Sequence, residues 1–414
     1  MAFIRTKNYD RDRPYKHAGR VAEIIAGVLA FIISFRFTPA YYSYVMVIFC
    51  LYFIYDSIKS KEIRFPMPSR LFIWGYCLLY GSLLLAGIIN GDKDGLNLTR
   101  QYIYWSLPMW MIGYLGGKYF INKGFFIGIL SASIITSLFG IVQKVHYPAE
   151  RIYSFYNYPT QYGVVIAIVF PVLLYCFFKS QKIHMRVISG IACALLSLCL
   201  IWTDTRAAVL SLCTGIIVSI LIILLQKYSI MDFRQKAAAV MVAFVVASVG
   251  IIGFGYMQNH RNTDMAKLGG ERIFMLSSSY EMWKDHKLSG IGVNSWETYY
   301  YSERYHPEGA QEQHLTMPHN MFIYFLSTAG IIGGLGFIGY TILTLIGLLK
   351  LPYGNNWLAE WCILAIFIAF FINGMFDSTF INKVAVKIYY AMMGLFMMWD
   401  VNGHRLQRGL KNDK

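Results

Sequence analysis

The feature that most constrains this chain is the recurrence of apolar runs about twenty residues long, separated by polar connections. Each run can cross a ~30 Å hydrocarbon layer as a helix, and a segment in lipid must satisfy its backbone polar groups internally. Twelve runs are counted, around residues 21–37, 39–57, 71–90, 101–117, 124–143, 159–178, 186–203, 206–226, 236–256, 320–349, 355–375 and 383–400, the fourth and the last with the weakest signal. Only 14% of residues are charged, against roughly 25% in an average soluble domain. The expected fold is an all-α integral membrane protein with about twelve transmembrane helices.

An even number of crossings puts both termini on one side, and short basic loops mark that side as cytoplasmic. The N-terminal tail (Arg5 to Arg20), the second connection (Lys59 to Arg70), the C-terminal tail (Arg405 to Lys414) and smaller clusters at 118–123, 179–186, 227–236 and Lys350 collect 23 of the 37 lysines and arginines. The net charge of +15 is therefore mostly a topology signal. Nucleic acid is not the expected partner, because no basic stripe is interleaved with polar recognition residues. The opposite face receives the 62-residue loop from Met257 to Pro318, with eight acids against six bases. The expected organisation is spans one to nine over 1–256, the outer loop with catalytic elements over 257–319, spans ten to twelve over 320–400, and a cytoplasmic tail over 401–414. All seven cysteines lie within expected spans, so neither a disulfide framework nor a Cys/His metal spacing is anticipated. The basic, polar first twenty residues do not read as a cleavable signal peptide.

The polar candidates gather on the loop's face. His319, in Pro318-His319-Asn320, ends the loop and opens a long apolar span; an imidazole there can exchange protons near neutral pH. Its alternative is a helix cap or headgroup contact. Arg272 opens a helix expected from Arg272 to His286, bounded by Gly269-Gly270 and Gly290, with Arg272, Leu276, Tyr280 and Trp283 on one stripe facing the bundle. An arginine with helix-end amides suits an anion; a salt bridge with Glu271 or Asp264 is the other reading. Arg206, in Thr203-Asp204-Thr205-Arg206, lies in a tight outer turn, where it either pairs with Asp204 or presents its planar fork to phosphate. The segment Arg151 to Gly163, with Asn157, mixes hydrogen-bonding groups and aromatic rings; such rings, like those of Trp296, Tyr299, Tyr300, Tyr301 and Tyr305, line a glycan groove or form an interfacial belt. Asp377, in the last outer turn, orients His319 or an arginine, or is a solvated turn acid. Asp204, Asp377 and the acids of the 257–318 loop are scattered singly, so no metal is expected.

These motifs occur in a definite order: Thr-Arg206-Ala-Ala before an apolar span, Gly-Glu-Arg272 followed by Trp283-Lys-Asp285-His286-Lys-Leu-Ser-Gly290-Ile-Gly292, then His319-Asn320 with a Leu-x-x-x-Gly-x-x-Gly tail. In that order the chain resembles the O-antigen ligase and polymerase superfamily over nearly its whole length. The resemblance implies a GT-C-like glycosyltransferase of the bacterial inner membrane with a periplasmic active site. It implies a donor glycan on undecaprenyl diphosphate, membrane lipids around it, lipid A-core as acceptor, and no cofactor or metal. Chemically this requires cations for the departing diphosphate, a role for Arg206 and Arg272, and a base for the acceptor hydroxyl, a role for His319. Arg151, Asn157, Asn320 and Asp377 are the supporting candidates, and His286 is expected to be structural.

Two alternatives remain. A polymerase would use the same donor with a lipid-linked repeat as acceptor. Polymerases of this type carry paired Arg-x10-Gly motifs, whereas Arg151 and Gly163 here have eleven intervening residues, which favours the ligase. A transporter or flippase would place charges or broken helices near the midplane of two related halves; Glu23 and Glu360 are the only central charges seen, and no internal repeat is found.

Overall fold

The computed structural model describes residues 13–412 apart from 37–38, 61–68, 120, 149, 228–230, 261–264, 312–314, 352–355 and 378. Arg5, Lys7, Arg11, Lys61, Arg64, Lys414, Asp264 and Glu312 lie outside the described residues. The described chain is helical: α1 Arg13–Ile33, α2 Pro39–Ser60, α3 Arg70–Ile89, α4 Lys93–Lys118, α5 Asn122–His146, α6 Pro159–Lys179, α7 Ile183–Trp202, α8 Arg206–Lys227, α9 Phe233–His260, α10 Met265–Asp285, α11 Trp296–Tyr300, α12 Met321–Leu349, α13 Trp357–Gly374 and α14 Lys383–Asn412. A short 3₁₀ turn, Thr379–Ile381, precedes α14.

Eight helices are long and apolar enough to span a membrane by length and composition: α2, α3, α5, α6, α7, α8, α12 and α13. The polytopic all-α expectation therefore holds. The other four expected spans, around 21–37, 101–117, 236–256 and 383–400, are also helical, in α1, α4, α9 and α14, and stand outside the eight found among the described residues. Charged residues enter two of them near the start, Arg20 in α1 and Lys93 and Asp94 in α4.

Helix pairing places the elements. The principal contacts join α3 to α12, α4 to α14, α8 to α13 and α1 to α5. Residues 359–367 and 369–371 of α13 are buried, which makes it the central helix. By contrast α2 exposes Tyr44, Val47, Ile48, Leu51 and Ile58, an apolar face suited to lipid. Residue contacts fix the direction of neighbours: Asn373 Nδ2 donates to Ser211 Oγ at 3.3 Å near one end of α8 and α13, while Lys227 and Glu360 pair at 3.3 Å near the other. These two helices are antiparallel, and Glu360, expected as a central charge, sits instead in the first turn of α13.

One end of the bundle gathers the α1 terminus at Ser34, the α3–α4 turn, residues 150–158, the 203–205 turn, residues 286–311 and 315–320, and residues 375–377 and 379–382. Tyr156 Oη donates to the Ser34 carbonyl at 2.6 Å, Asn90 Nδ2 to the Ser289 carbonyl at 2.8 Å, and Asn382 Nδ2 to the Gln161 carbonyl at 3.4 Å. This is the end at which the sequence candidates lie.

The loop folds back on a broken span. Within α12, Gly330 adopts φ 67° and ψ −161°, which interrupts the helix. Here the backbones of 287–292 and 327–332 exchange partners: the amides of Ile291 and Gly292 donate to the carbonyls of Ser327 and Thr328 at 3.0 and 2.9 Å, and those of Ile331 and Ile332 donate to Lys287 and Leu288 at 2.8 and 3.3 Å. Both segments of this exchange need glycine. A Cβ on Gly290 (φ 68°) would lie 2.4 Å from the Thr328 carbonyl carbon, and one on Gly330 would lie 2.2 Å from the Leu288 oxygen. The Leu-Ser-Gly-Ile-Gly segment is thus a backbone clamp, and His286 beside it rests edge-on against Tyr299 with ring centroids 5.9 Å apart.

Candidate active site

The site forms where α12 begins and α13 ends. Asn320 is the N-cap of α12, its Oδ1 accepting the Ile323 amide at 3.0 Å, which satisfies one orphan donor of the first turn. Its Nδ2 simultaneously donates to the Met375 carbonyl at 3.1 Å, just past the end of α13. One side chain therefore ties the two helix ends together, and it fixes the residues on either side of the joint. Asp377 follows Met375 in a turn, and its amide donates to the Asn373 carbonyl at 2.8 Å. His319 precedes the cap, and its Nδ1 meets Asp377 Oδ1 at 3.2 Å. This contact is the one that would let Asp377 orient His319. With Nδ1–H held by a carboxylate, Nε2 is left as the acceptor nitrogen. The pair is half-buried, 33% exposed at His319 and 21% at Asp377, so water and substrate can reach it.

A second cluster holds Arg206. Arg151 donates from Nε to the Thr203 carbonyl at 2.9 Å, and from a terminal nitrogen to the Asp204 carbonyl at 3.2 Å and Thr205 Oγ1 at 3.4 Å. Ile152 N–H donates to the Trp202 carbonyl at 3.1 Å. A guanidinium thus satisfies carbonyls left over where α7 ends, and it braces the turn from which Arg206, the first residue of α8, projects half-buried. Asn157 is exposed, with its backbone amide donating to Gln161 Oε1 at 3.3 Å. The α6 start packs against this turn, since a Cβ on Gly163 would lie 2.9 Å from the Ala208 Cβ. Through Asn373 and Ser211, α8 is joined to the helix that ends at the Asp377 turn, so the Arg206 cluster and the histidine pair share one end of the α8–α13 pair.

Strain marks the same places. Among the described residues three non-glycine residues have left-handed backbone: Ser154 (φ 52°), Asp204 (φ 48°) and His319 (φ 51°). Such conformations cost about 1–3 kcal/mol each and persist where surrounding contacts impose them. One lies in the Arg151 segment, one in the Arg206 turn and one at the histidine itself.

Two expectations for the loop are corrected. α10 begins at Met265 and runs straight through Gly269-Gly270, so those glycines do not bound it. Its buried stripe is Glu271, Met275, Ser278, Ser279 and Met282, while Arg272, Leu276 and Tyr280 are exposed. The helical period is as expected and its phase one residue off. The polar Glu271, Ser278 and Ser279 are buried because partners satisfy them: Glu271 accepts the Gln311 amide at 2.8 Å, Ser278 donates to the Tyr305 carbonyl at 2.7 Å, and Trp296 Nε1 donates to Ser279 Oγ at 2.8 Å. Arg272 therefore faces outward, and among the described residues no hydrogen bond or ion pair joins it to His319, Asp377 or Arg206. Trp296, Tyr300 and Tyr305 are buried in the loop's own core, with Trp296 and Tyr300 stacked 4.8 Å apart, and Trp296 also borders the cavity beside α4. At the end of α10, Asp285 accepts from Tyr305 Oη at 2.7 Å and from Arg304 at 2.6 Å, which holds its carboxyl below the usual range.

Sequence reasoning missed one part of this end. A cavity of about 430 Å³ lies between α4, α11, residues 316–317 and the start of α14. Its α4 wall is Asp94, Asn97, Gln101 and Trp105, residues three or four apart on one helix face. The signal was present as Asp92-Lys-Asp-Gly-Leu-Asn-Leu-Thr-Arg-Gln, a polar helical start ahead of the fourth apolar run that attention to spans alone passes over. Among the described residues no group of three or more His, Cys, Asp or Glu side chains gathers as a metal site.

Residues 191–338 match the family model described as O-antigen ligase. The match covers 148 of 414 residues, from within α7 to within α12, and takes in Arg206, Arg272, the 287–292 clamp and His319-Asn320, while Arg151, Asn157 and Asp377 lie outside it. No curated protein matches the chain.

Proposed function

We propose that this chain, whose residues 191–338 match the O-antigen ligase family model in line with its resemblance to the ligase and polymerase superfamily, is the ligase. In this reading it transfers a glycan from undecaprenyl diphosphate to a hydroxyl of lipid A-core at the periplasmic face of the inner membrane. The observation that carries it is the His319–Asp377 pair at 3.2 Å, fastened by Asn320 at the end of the bundle where the braced Arg206 turn lies. His319 Nε2 takes the proton of the acceptor hydroxyl as that oxygen attacks the anomeric carbon, and Asp377 stabilises the imidazolium that forms. The bond from the anomeric carbon to the phosphate oxygen breaks on the opposite face, so configuration inverts. The diphosphate leaves with its electron pair, stabilised by Arg206 and Arg272 as cations. Arg151 acts through the 203–205 turn as a positioning residue.

In this mechanism Arg206 is the nearer cation and Arg272, on the exposed face of α10, meets the donor from the loop side. Arginines supply the charge that a metal supplies in other diphosphate chemistry, and the transfer runs without a metal. The test is transfer by the purified protein from undecaprenyl-diphosphate-linked glycan, with EDTA, to either lipid A-core or further lipid-linked repeat. Product on lipid A-core is the expected result. Lengthening of the lipid-linked glycan makes the protein a polymerase, and no product with active controls refutes both.

A further inference from the structure

The cavity beside α4 has the chemistry of a sugar site. Its floor is aromatic and buried: Trp105, Trp296 and Tyr324. Its rim is polar and exposed, with Asp94, Asn97 and Glu297, and Gln101 lies half-buried between rim and floor. Aromatic faces against which C–H bonds stack, ringed by amide and carboxylate groups that bond hydroxyls, are what a sugar ring requires and what a lipid tail or a phosphate does not.

Its walls also continue the site. Thr316 and Met317 line it and lead through Pro318 to His319; Ile381 and Lys383 line it and lead back through the 3₁₀ turn to Asp377. Both segments that present the histidine pair therefore form its margin. The helix that supplies its other wall, α4, is neither α6 nor α8, the helices at the Arg206 cluster. The donor's diphosphate and this cavity thus approach the pair from different elements, as two substrates of a displacement must.

Charge narrows the ligand. Two carboxylates, Asp94 and Glu297, face one ammonium, that of Lys383, which lies over the Trp105 ring at 5.6 Å from its centroid. A phosphorylated or acidic sugar would meet the carboxylates at a loss. Resting on the ligase reading above, we infer that this cavity is the acceptor subsite and that it takes an uncharged terminal sugar of the acceptor, leaving anionic groups of that molecule outside.

Two measurements on the full-length protein in detergent separate this inference from the ligase reading. The first is saturation-transfer NMR binding of core oligosaccharide freed of lipid, with and without its phosphates, which needs no catalysis. The wild type should bind both forms, the dephosphorylated one at least as tightly, and Gln101→Ala with Glu297→Gln should weaken binding about tenfold or more, the size of one or two lost hydrogen bonds. Unchanged binding in that double variant, or tighter binding of the phosphorylated form alone, overturns the inference. The second is steady-state transfer. Gln101→Ala and the milder Trp105→Phe should raise the acceptor KM while leaving the donor KM unmoved; a shift confined to the donor KM overturns it. Wild type that binds the oligosaccharide but transfers nothing sinks the ligase reading and leaves the sugar site standing.

Discussion

Replacing Asp377 with asparagine removes one charge and leaves the local backbone intact, because the Asp377 amide still donates to the Asn373 carbonyl. Two effects follow at His319. The imidazolium formed after proton transfer loses a facing carboxylate, and an amide nitrogen turned toward Nδ1 favours the tautomer with Nε2 protonated, which is no base. A hydrogen bond to a charged group is worth about 1.5–3 kcal/mol, while a fully buried triad carboxylate is worth roughly 10⁴ in rate. The pair here is 33% and 21% exposed, so solvent screening keeps the loss near the lower figure. At about 1.4 kcal/mol per tenfold, kcat should fall about 10- to 100-fold. Donor KM should stay within about twofold, because uniform binding is untouched, and the thermal midpoint should barely move. The assay is steady-state transfer with donor varied at saturating acceptor, beside a melt of the same preparation. A kcat within twofold of wild type, or a loss carried wholly by donor KM, would refute the orienting role of Asp377.

Other parts of the site yield their own tests. Arg151→Ala should loosen the 203–205 turn and reduce transfer about tenfold through donor KM, as expected when about one to two kcal/mol of positioning is lost; full activity would show that the turn stands without its brace. Asn320→Ala removes a helix cap worth about 1 kcal/mol and the link to Met375, so the melting temperature and kcat should fall together, and a change in only one would separate the cap from the link. Gly290→Ala should cost several kcal/mol, because the new Cβ collides with the α12 backbone; normal yield and stability would contradict the clamp. Asp285 has a depressed folded pKa, so its anchoring of Arg304 and Tyr305 is complete above the ordinary carboxylate value near ~4 and is lost as pH falls through the lower, folded value. Hydrogen-exchange protection over residues 299–306, corrected for the intrinsic pH dependence of exchange, should therefore be constant from pH 8 to pH 5 and fall only below about pH 4; a loss of protection near neutrality would place the anchor elsewhere.

Much of the fold was legible because lipid leaves the chain few choices. Runs near twenty residues announce helices, and His319, Asn320 and Arg206 stand out because polar groups at the edge of such runs need a reason. What was hidden depends on contacts distant in sequence. That Asp377 faces His319 rests on a hydrogen bond across 58 residues, and the bracing role of Arg151 rests on carbonyls some fifty residues away. The phase of α10 was misjudged because a stripe containing Glu271, Ser278 and Ser279 looks polar until its partners on the following loop are known. Its mirror, with Leu276, Tyr280 and Trp283, looks more like a core. The α4 cavity was missed for the opposite reason: its polar wall precedes a span, where polar residues read as a mere boundary.

The break in α12 ties the outer loop to the membrane span in a way that neither achieves alone. At Gly330 the ladder of the span is interrupted, and four of its backbone groups pair with residues 287–292. Withdrawing that segment would remove those partners, a loss of about 0.5–1.5 kcal/mol for each bond that water can replace and about 1–3 kcal/mol for each group left unpaired. Loop departure and span integrity are consequently a single equilibrium. The outer portion of α12, which follows directly on His319, is joined through these amides to the 287–292 segment, so a displacement of that segment bears directly on the turn of helix that begins at His319-Asn320.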